Sequence, residues 1–319
     1  MPPRTRLLYL YLLPPAALLT LTYTTHRTLT DLEHKYPAIP ASQGSTAALT
    51  TPTDPSTQRC AEIDIYQARV PVRALLRAEA AITGTTVPEN LPTDKRPEVS
   101  PATLQKAWAH LFLTSPILQT EAKLLGLCTQ GTFHPGDVGL SAGGFAPVAA
   151  DPDTTANNNN TDHPESRGQD QGQGQGQAQG QAQAQPQHKR HLINGGFTVE
   201  RPPEHPGGLL ASWRVPDGAR RVFEALAHWG YPCRLMSGGR HEWGVSEVYL
   251  VDSEGQREGP GPGPGEWVVD VRFGSAHDYE IVAAEGERQK VVPRWVGRLH
   301  RGYARVLVED AVRRLGEYD

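Results

Sequence analysis

Apolar residues recur along this chain with two different periods, and the change falls near residue 192. Upstream, Leu104, Ala107, Trp108, Leu111 and Phe112 repeat at i, i+3, i+4, i+7 and i+8, which predicts an amphipathic helix. Ser100-Pro101 supplies its start signal, and Ser115-Pro116 opens another helix whose stripe is Leu118, Ala122 and Leu125, ahead of Gly126. A shorter helix is predicted from Val72 to Ile82, with Val72, Leu75 and Leu76 on one face, Pro71 near its start and Gly84 after its end. Three narrow faces make a poor core by themselves, so these helices are expected to pack on later chain.

Downstream of Ile193 the pattern alternates. Strand-like runs fall at Phe197–Val199, Leu209–Trp213, Cys233–Met236, Val245–Val251 and Trp267–Phe273. In the last, Trp267, Val269, Val271 and Phe273 share one face while Glu266, Asp270 and Arg272 take the other, the mark of a half-buried antiparallel strand. The Gly/Pro loop Gly259–Gly265 makes its hairpin partner the run before it. Asp217 can cap a helix whose Ala219, Val222, Phe223 and Leu226 stripe faces inward, closed by Gly230. A final helix starts after Pro293, with Val296, Leu299, Tyr303, Val306 and Leu307 on one side and Arg294, Arg298, Arg301 and Arg305 on the other. The fold class is therefore α+β: a curved antiparallel sheet packed by a long C-terminal helix, with additional N-terminal helices. By analogy of element order alone it is helix-grip-like, an arrangement in which the last helix closes an apolar cavity.

The remaining chain divides by composition. Residues 1–27 read as a membrane anchor or targeting segment: after Arg4 and Arg6, the charge-free run Leu7–Thr25 would cover about 28 Å as a helix, close to a bilayer core. Positive charge on the short flank would place the bulk of the chain on the non-cytosolic side of a single-pass membrane protein, with a cleaved secretory signal or a mitochondrial presequence as alternatives. In that setting Asn159-Asn160-Thr161 would be a reachable glycosylation acceptor. Residues 28–59, most plainly Tyr36–Gln58, read as a flexible stalk. Residues 60–150 form the helical segment. Residues 151–191 form a Gln/Gly-rich insertion too poor in apolar side chains to order itself, and residues 192–319 form the α+β segment that packs with 60–150 as one domain.

Net charge is −4, so no global field argues for nucleic acid. Cys60, Cys128 and Cys233 are too scattered for a CxxC motif, leaving room for one bridge, such as Cys60 with Cys128. The stretch Ser237, Gly238, Gly239, Arg240, His241, Glu242 is the most suggestive chemically. Paired glycines let backbone amides converge on an anion and Arg240 adds donors; the plainer reading is a tight turn between strands. Val245 stands where a second zinc-binding histidine of H-E-x-x-H would be. Arg240, His241, Glu242, His277 and Asp278 would make a general acid/base cluster if the sheet gathered them; otherwise His277 and Asp278 are turn residues. His134 with Asp137 is a weaker pair in a loop that reads as a plain turn. The arginine stripe could meet phosphate headgroups or an acidic partner, though a solvated face explains it as well. No cofactor motif or metal-ligand spacing is evident.

Trp108–Leu127, the His134-Pro135-Gly136-Asp137 loop with Gly143-Gly144-Phe145-Ala146-Pro147, Trp229–Glu242, Val269–Glu280 and Pro293–Val306 together resemble a family of uncharacterised fungal proteins. The resemblance implies that the two folded segments belong together and that the Gln/Gly tract is an insertion. It implies no activity. The expected function is a membrane-anchored protein binding an apolar small molecule or a protein partner. The alternatives are a hydrolase-like or other enzyme using the Arg/His/Glu/Asp cluster, and a membrane-tethered scaffold.

Overall fold

The alternation of Trp267, Val269, Val271 and Phe273 does not stop where the apolar run ends; it continues to Glu280, and this long strand organises the molecule. The structure, a computed structural model, describes residues 20–86, 96–129, 144–145, 189–251 and 265–317. In chain order these form α1 (residues 20–35), α2 (Ala41–Gly44), α3 (Ala47–Thr50), β1 (Gln58–Pro71), α4 (Val72–Thr83), α5 (Pro101–Leu113), α6 (Pro116–Thr129), β2 (His191–Leu192), β3 (Phe197–Arg201), β4 (Leu209–Arg214), α7 (Asp217–His228), β5 (Gly238–Val245), β6 (Tyr249–Val251), β7 (Glu266–Glu280) and α8 (Arg294–Leu315).

The fold is α+β, as the patterning requires. One curved, antiparallel sheet runs in the order β1-β7-β5-β4-β3-β2, with β6 pairing the start of β7. The long α8, together with α4 and α5, covers its concave face. Trp108 on α5 donates its indole N–H to the Arg272 carbonyl at 2.9 Å. Phe112 stacks on Phe273, centroids 4.7 Å apart, and meets Trp243 edge-on. α4 ends as its sequence dictates: Gly84 takes φ 70°, a left-handed cap suited to glycine, and returns its N–H to Ala80. β1, before the Gln/Gly tract, pairs β7, after it, from Gln58↔Glu280 to Pro71↔Val268.

Several expectations are corrected. The membrane-span expectation covers Leu7–Thr25, of which residues 1–19 lie outside the described residues. The rest belongs to α1, and among the described residues no helix is long and apolar enough to cross a membrane. The physical reason is visible in α1 itself, which is threonine-rich at its start and then docks on α8 through polar and apolar contacts. Glu33 accepts from Arg298 at 2.9 Å, and Leu29 lies so close to Gly302 that a Cβ there would stand 2.0 Å from it. The single-pass reading is corrected accordingly.

Of the segment read as a stalk, residues 28–36 pack on α8 and residues 39–53 lie on the convex face of the sheet. Leu49 is fully buried with Ile65, Leu210 and Ala276, over Gly274, where an added Cβ would come within 2.7 Å of it. The run Cys233–Met236 is not a strand; the strand begins at Gly238, inside the stretch read as a turn, because each glycine there makes room for a neighbour. The apolar stripe of α7 faces outward. Val222, Phe223 and Leu226 are exposed and Ala227 is the one buried residue, since α7 is held at its far end by Arg234–Glu224 and by Lys290 on the Ala227 carbonyl. On α8, Leu299 is 45% exposed while Arg305 is 6% exposed, the reverse of the expected sides. Arg305 lies 4.4 Å over the Tyr66 ring and donates to the Tyr36 carbonyl, so the arginine face meets α1 and β1 at Arg298 and Arg305 while Arg294 stays exposed.

Candidate functional site: a cavity under the C-terminal helix

Strand parity distributes the five candidate acid/base residues. Opposed residues of an antiparallel pair share a face and successive residues alternate. In the β5–β7 register, Arg240 faces Ala276, His241 faces Ser275 and Gly238 faces Asp278. Arg240, Glu242 and Asp278 therefore sit on the convex side, and His241 and His277 on the concave side. The five share no pocket.

The convex three are bound up in local structure. Asp278 accepts from both terminal nitrogens of Arg240, one at 2.9 Å, and the Arg240 Nε donates to the Leu49 carbonyl at 2.9 Å. Glu242 accepts from Arg201 at 2.8 Å and from the Thr46 backbone at 3.1 Å. This is a buried, fully paired ionic layer clamping residues 45–53 to the sheet. The Ser237-Gly238-Gly239-Arg240 anion site is likewise corrected. Ser237 donates to the Asp278 carbonyl, and Gly238 and Gly239 lie within the β4–β5–β7 ladder. Added Cβ atoms at the two glycines would meet the Trp213 carbonyl at 2.4 Å and the Ala276 carbonyl at 2.1 Å. Close packing, not a phosphate cradle, is what these glycines serve.

The concave side carries the cavity, about 560 Å³ between sheet and α8. α8 contributes His300, Tyr303, Ala304 and Leu307; β5 and β7 contribute His241, Trp243 and Phe273. Trp213 comes from β4, Phe112 and Leu118 from α5 and α6, and Ile193 and Phe197 from the β2–β3 hairpin. Ile193 and Asn194 both have φ 54°, and a β-branched residue in that region is strained. The strained turn holds Ile193 against the cavity while Asn194 donates to the Ala122 carbonyl of α6 at 2.7 Å.

The wall is apolar apart from a few groups. Tyr303 donates to Glu121. His300 and His277 meet through their Nε2 atoms at 2.9 Å. One of those nitrogens must donate and the other accept, so the pair requires one neutral ring at least. Burial, with His277 beside it, pushes the His300 pKa down to about 4. Burial also holds His241 well below the usual histidine range, reinforced by His300 and His277 and opposed by a hydrogen bond to the main chain of Gly274. Three buried polar atoms of wall residues have no partner: Nε1 of Trp213, Nε1 of Trp243 and Nδ1 of His241. Their rings are neighbours, with the His241 ring 5.9 Å from Trp213 and 6.0 Å from Trp243, centroid to centroid.

Among the described residues no group of three or more His, Cys, Asp or Glu could hold a metal ion. Cys60 and Cys233 are free thiols, so Cys60 makes no bridge to Cys128. His134, Asp137 and Asn159 lie outside the described residues, as does the tract 151–187. The sequence reading singled out His241 but not Trp213, Trp243 or His300 as cavity residues. The signal that could have found the two tryptophans is their parity with His241 on strands that alternate. Comparison with protein-family models, curated proteins and solved structures finds no match to the chain.

Proposed function

We propose that the protein binds an apolar small molecule in the cavity between the sheet and α8. The observation that carries this reading is a hollow of about 560 Å³ walled mainly by aromatic and aliphatic side chains. Soluble domains close-pack their interiors, and cavities of about 300–1,000 Å³ with a few convergent polar groups are the usual form of small-molecule sites. The enzyme reading built on Arg240, His241, Glu242, His277 and Asp278 is less well supported, because the five fall on two faces of the sheet and, beneath residues 45–53, Arg240 pairs with Asp278 and Glu242 with Arg201. A scaffold reading leaves the hollow without a role.

The test is titration of the full chain with a fluorescent apolar probe, alongside the variant Leu307→Trp, which fills the hollow from α8. Saturable one-to-one uptake by the folded protein, weakened at least about tenfold in a variant that still melts cooperatively, is expected. Absence of saturable uptake by the folded parent overturns the reading.

A further inference from the structure

One wall of the hollow is α8, and this inference rests on the hollow being a ligand site. α8 is fastened unevenly. Its second half is buried through Leu307, Val308, Ala311 and Leu315. Asp310 there accepts from Ser115, and Arg314 donates to the Leu111 carbonyl of α5, both at 2.8 Å. The first half carries Trp295 and Leu299 into solvent, and holds α1 through Arg298 and α6 through Tyr303. Toward the sheet it makes a single hydrogen bond, from His300 to His277 on β7, Nε2 to Nε2 at 2.9 Å. Among the described residues no other hydrogen bond joins α8 to a strand, and His300 itself borders the hollow.

Two imidazole nitrogens can meet at that distance only while one of them lacks a proton. With both rings charged, two N–H groups would point at each other and the contact would be lost. The surrounding charges allow one proton on the pair and resist a second. Glu62 faces it from β1, its carboxylate 3.8 Å from His277 Nδ1, with Asp64 beside it. Against them stand Arg301, next to His300 on α8, and His241 across the sheet on β5. We propose that His277 and His300 form an acid-operated latch: charging both rings parts the first half of α8 from β7 and releases the ligand. Burial supports the direction, since it holds latched His300 at about 4 against an ordinary value of 6.5. A group that binds protons less readily when closed favours opening as pH falls, and these values give about a tenfold rise in opening from pH 7.5 to pH 5.5.

The experiment is a stopped-flow release of N-phenyl-1-naphthylamine, a neutral fluorescent probe, from the loaded full chain into excess β-cyclodextrin. Release from the parent is expected to be about tenfold faster at pH 5.5 than at pH 7.5. His300→Phe keeps a ring in the wall but cannot charge, and its release rate should change by less than about twofold over that range. His277→Phe acts from outside the lining and should flatten the profile equally; it decides the matter if His300→Phe fails to fold. Tyr303→Phe, which loosens α8 at its α6 contact, should speed release at both pH values and leave their ratio as in the parent. A parent whose release ignores pH, or a His300→Phe or His277→Phe variant that keeps the parent's acceleration, overturns the latch while leaving the cavity a ligand site. Failure of the probe to bind the folded parent overturns the ligand-site reading as well.

Discussion

His241 faces Ser275 and His277 stands two places further along the same strand, so both rings lie on the concave side, while the intervening chemistry at Arg240 and Asp278 turns the other way. A shift of a single residue in register would exchange the two sets, placing charges in the cavity and imidazoles under Leu49. Parity therefore decides which side chains belong to a site and which to structure. The buried imidazoles carry a consequence for stability. His300, held near pKa 4 against an ordinary value of 6.5, and His241, shifted the same way, bind protons less readily in the folded chain than in the unfolded one. Stability from these rings is complete above about pH 6.5 and drains as pH falls toward 4. Urea unfolding should show a loss from His300 alone of about 2 kcal/mol between pH 7 and pH 5, and His300→Phe should remove that share. Equal stability at the two pH values would contradict the neutral-imidazole account. At this scale the sequence exposed the residue types, including His241, but not their sides. The glycine pair 238–239 reads as a turn unless one knows that Trp213 and the Ala276 carbonyl need the space.

Elements whose apolar stripe lies within their own sequence were legible, and sides decided by polar partners far along the chain were not. Helix α5 was readable because Leu104, Trp108, Leu111 and Phe112 form a stripe that meets the sheet. The course of α8 was legible too, but its sides were not. Its arginines look solvated until Glu33, Tyr36 and Tyr66 arrive from the other end of the chain. β1 was hidden for a related reason: Glu62 and Asp64 interrupt its apolar alternation by facing Arg301, His277 and His300 from the concave side. Residues 39–53 have too few apolar side chains to announce packing, yet Leu49 anchors them beside the ionic clamp, filling the space above Gly274. Leu49→Ala should then cost about 2–5 kcal/mol in chemical denaturation, the range for emptying a buried leucine site. It should also make residues 39–57 the first point of protease cleavage. A stalk would show neither effect, so unchanged stability in Leu49→Ala would remove this segment from the core.

The molecule as a whole depends on a pairing that bridges the Gln/Gly tract: β1 precedes it, β7 follows it, and the two pair from end to end of β1 with one register shift between Cys60 and Glu62. The same span is bridged where Ser115 donates to Asp310 at 2.8 Å and where Arg314 donates to the Leu111 carbonyl at 2.8 Å. Neither side of the tract can complete the sheet or close the cavity alone, because Phe112 and Leu118 come from one side and the strands and α8 from the other. The composition of residues 151–187 predicts that they supply no core, so their effect on folding reduces to the entropy of closing a long connection. Excising them more than halves the chain between α6 and β2, and loop-closure entropy scaling with the logarithm of length gives a gain of about 1 kcal/mol. The shortened protein is expected to unfold in one cooperative urea transition, slightly later than the parent, and to take up the apolar probe with the parent's affinity. Loss of the cooperative transition would show that the tract holds the two sides together, and that composition misleads about where this chain keeps its contacts.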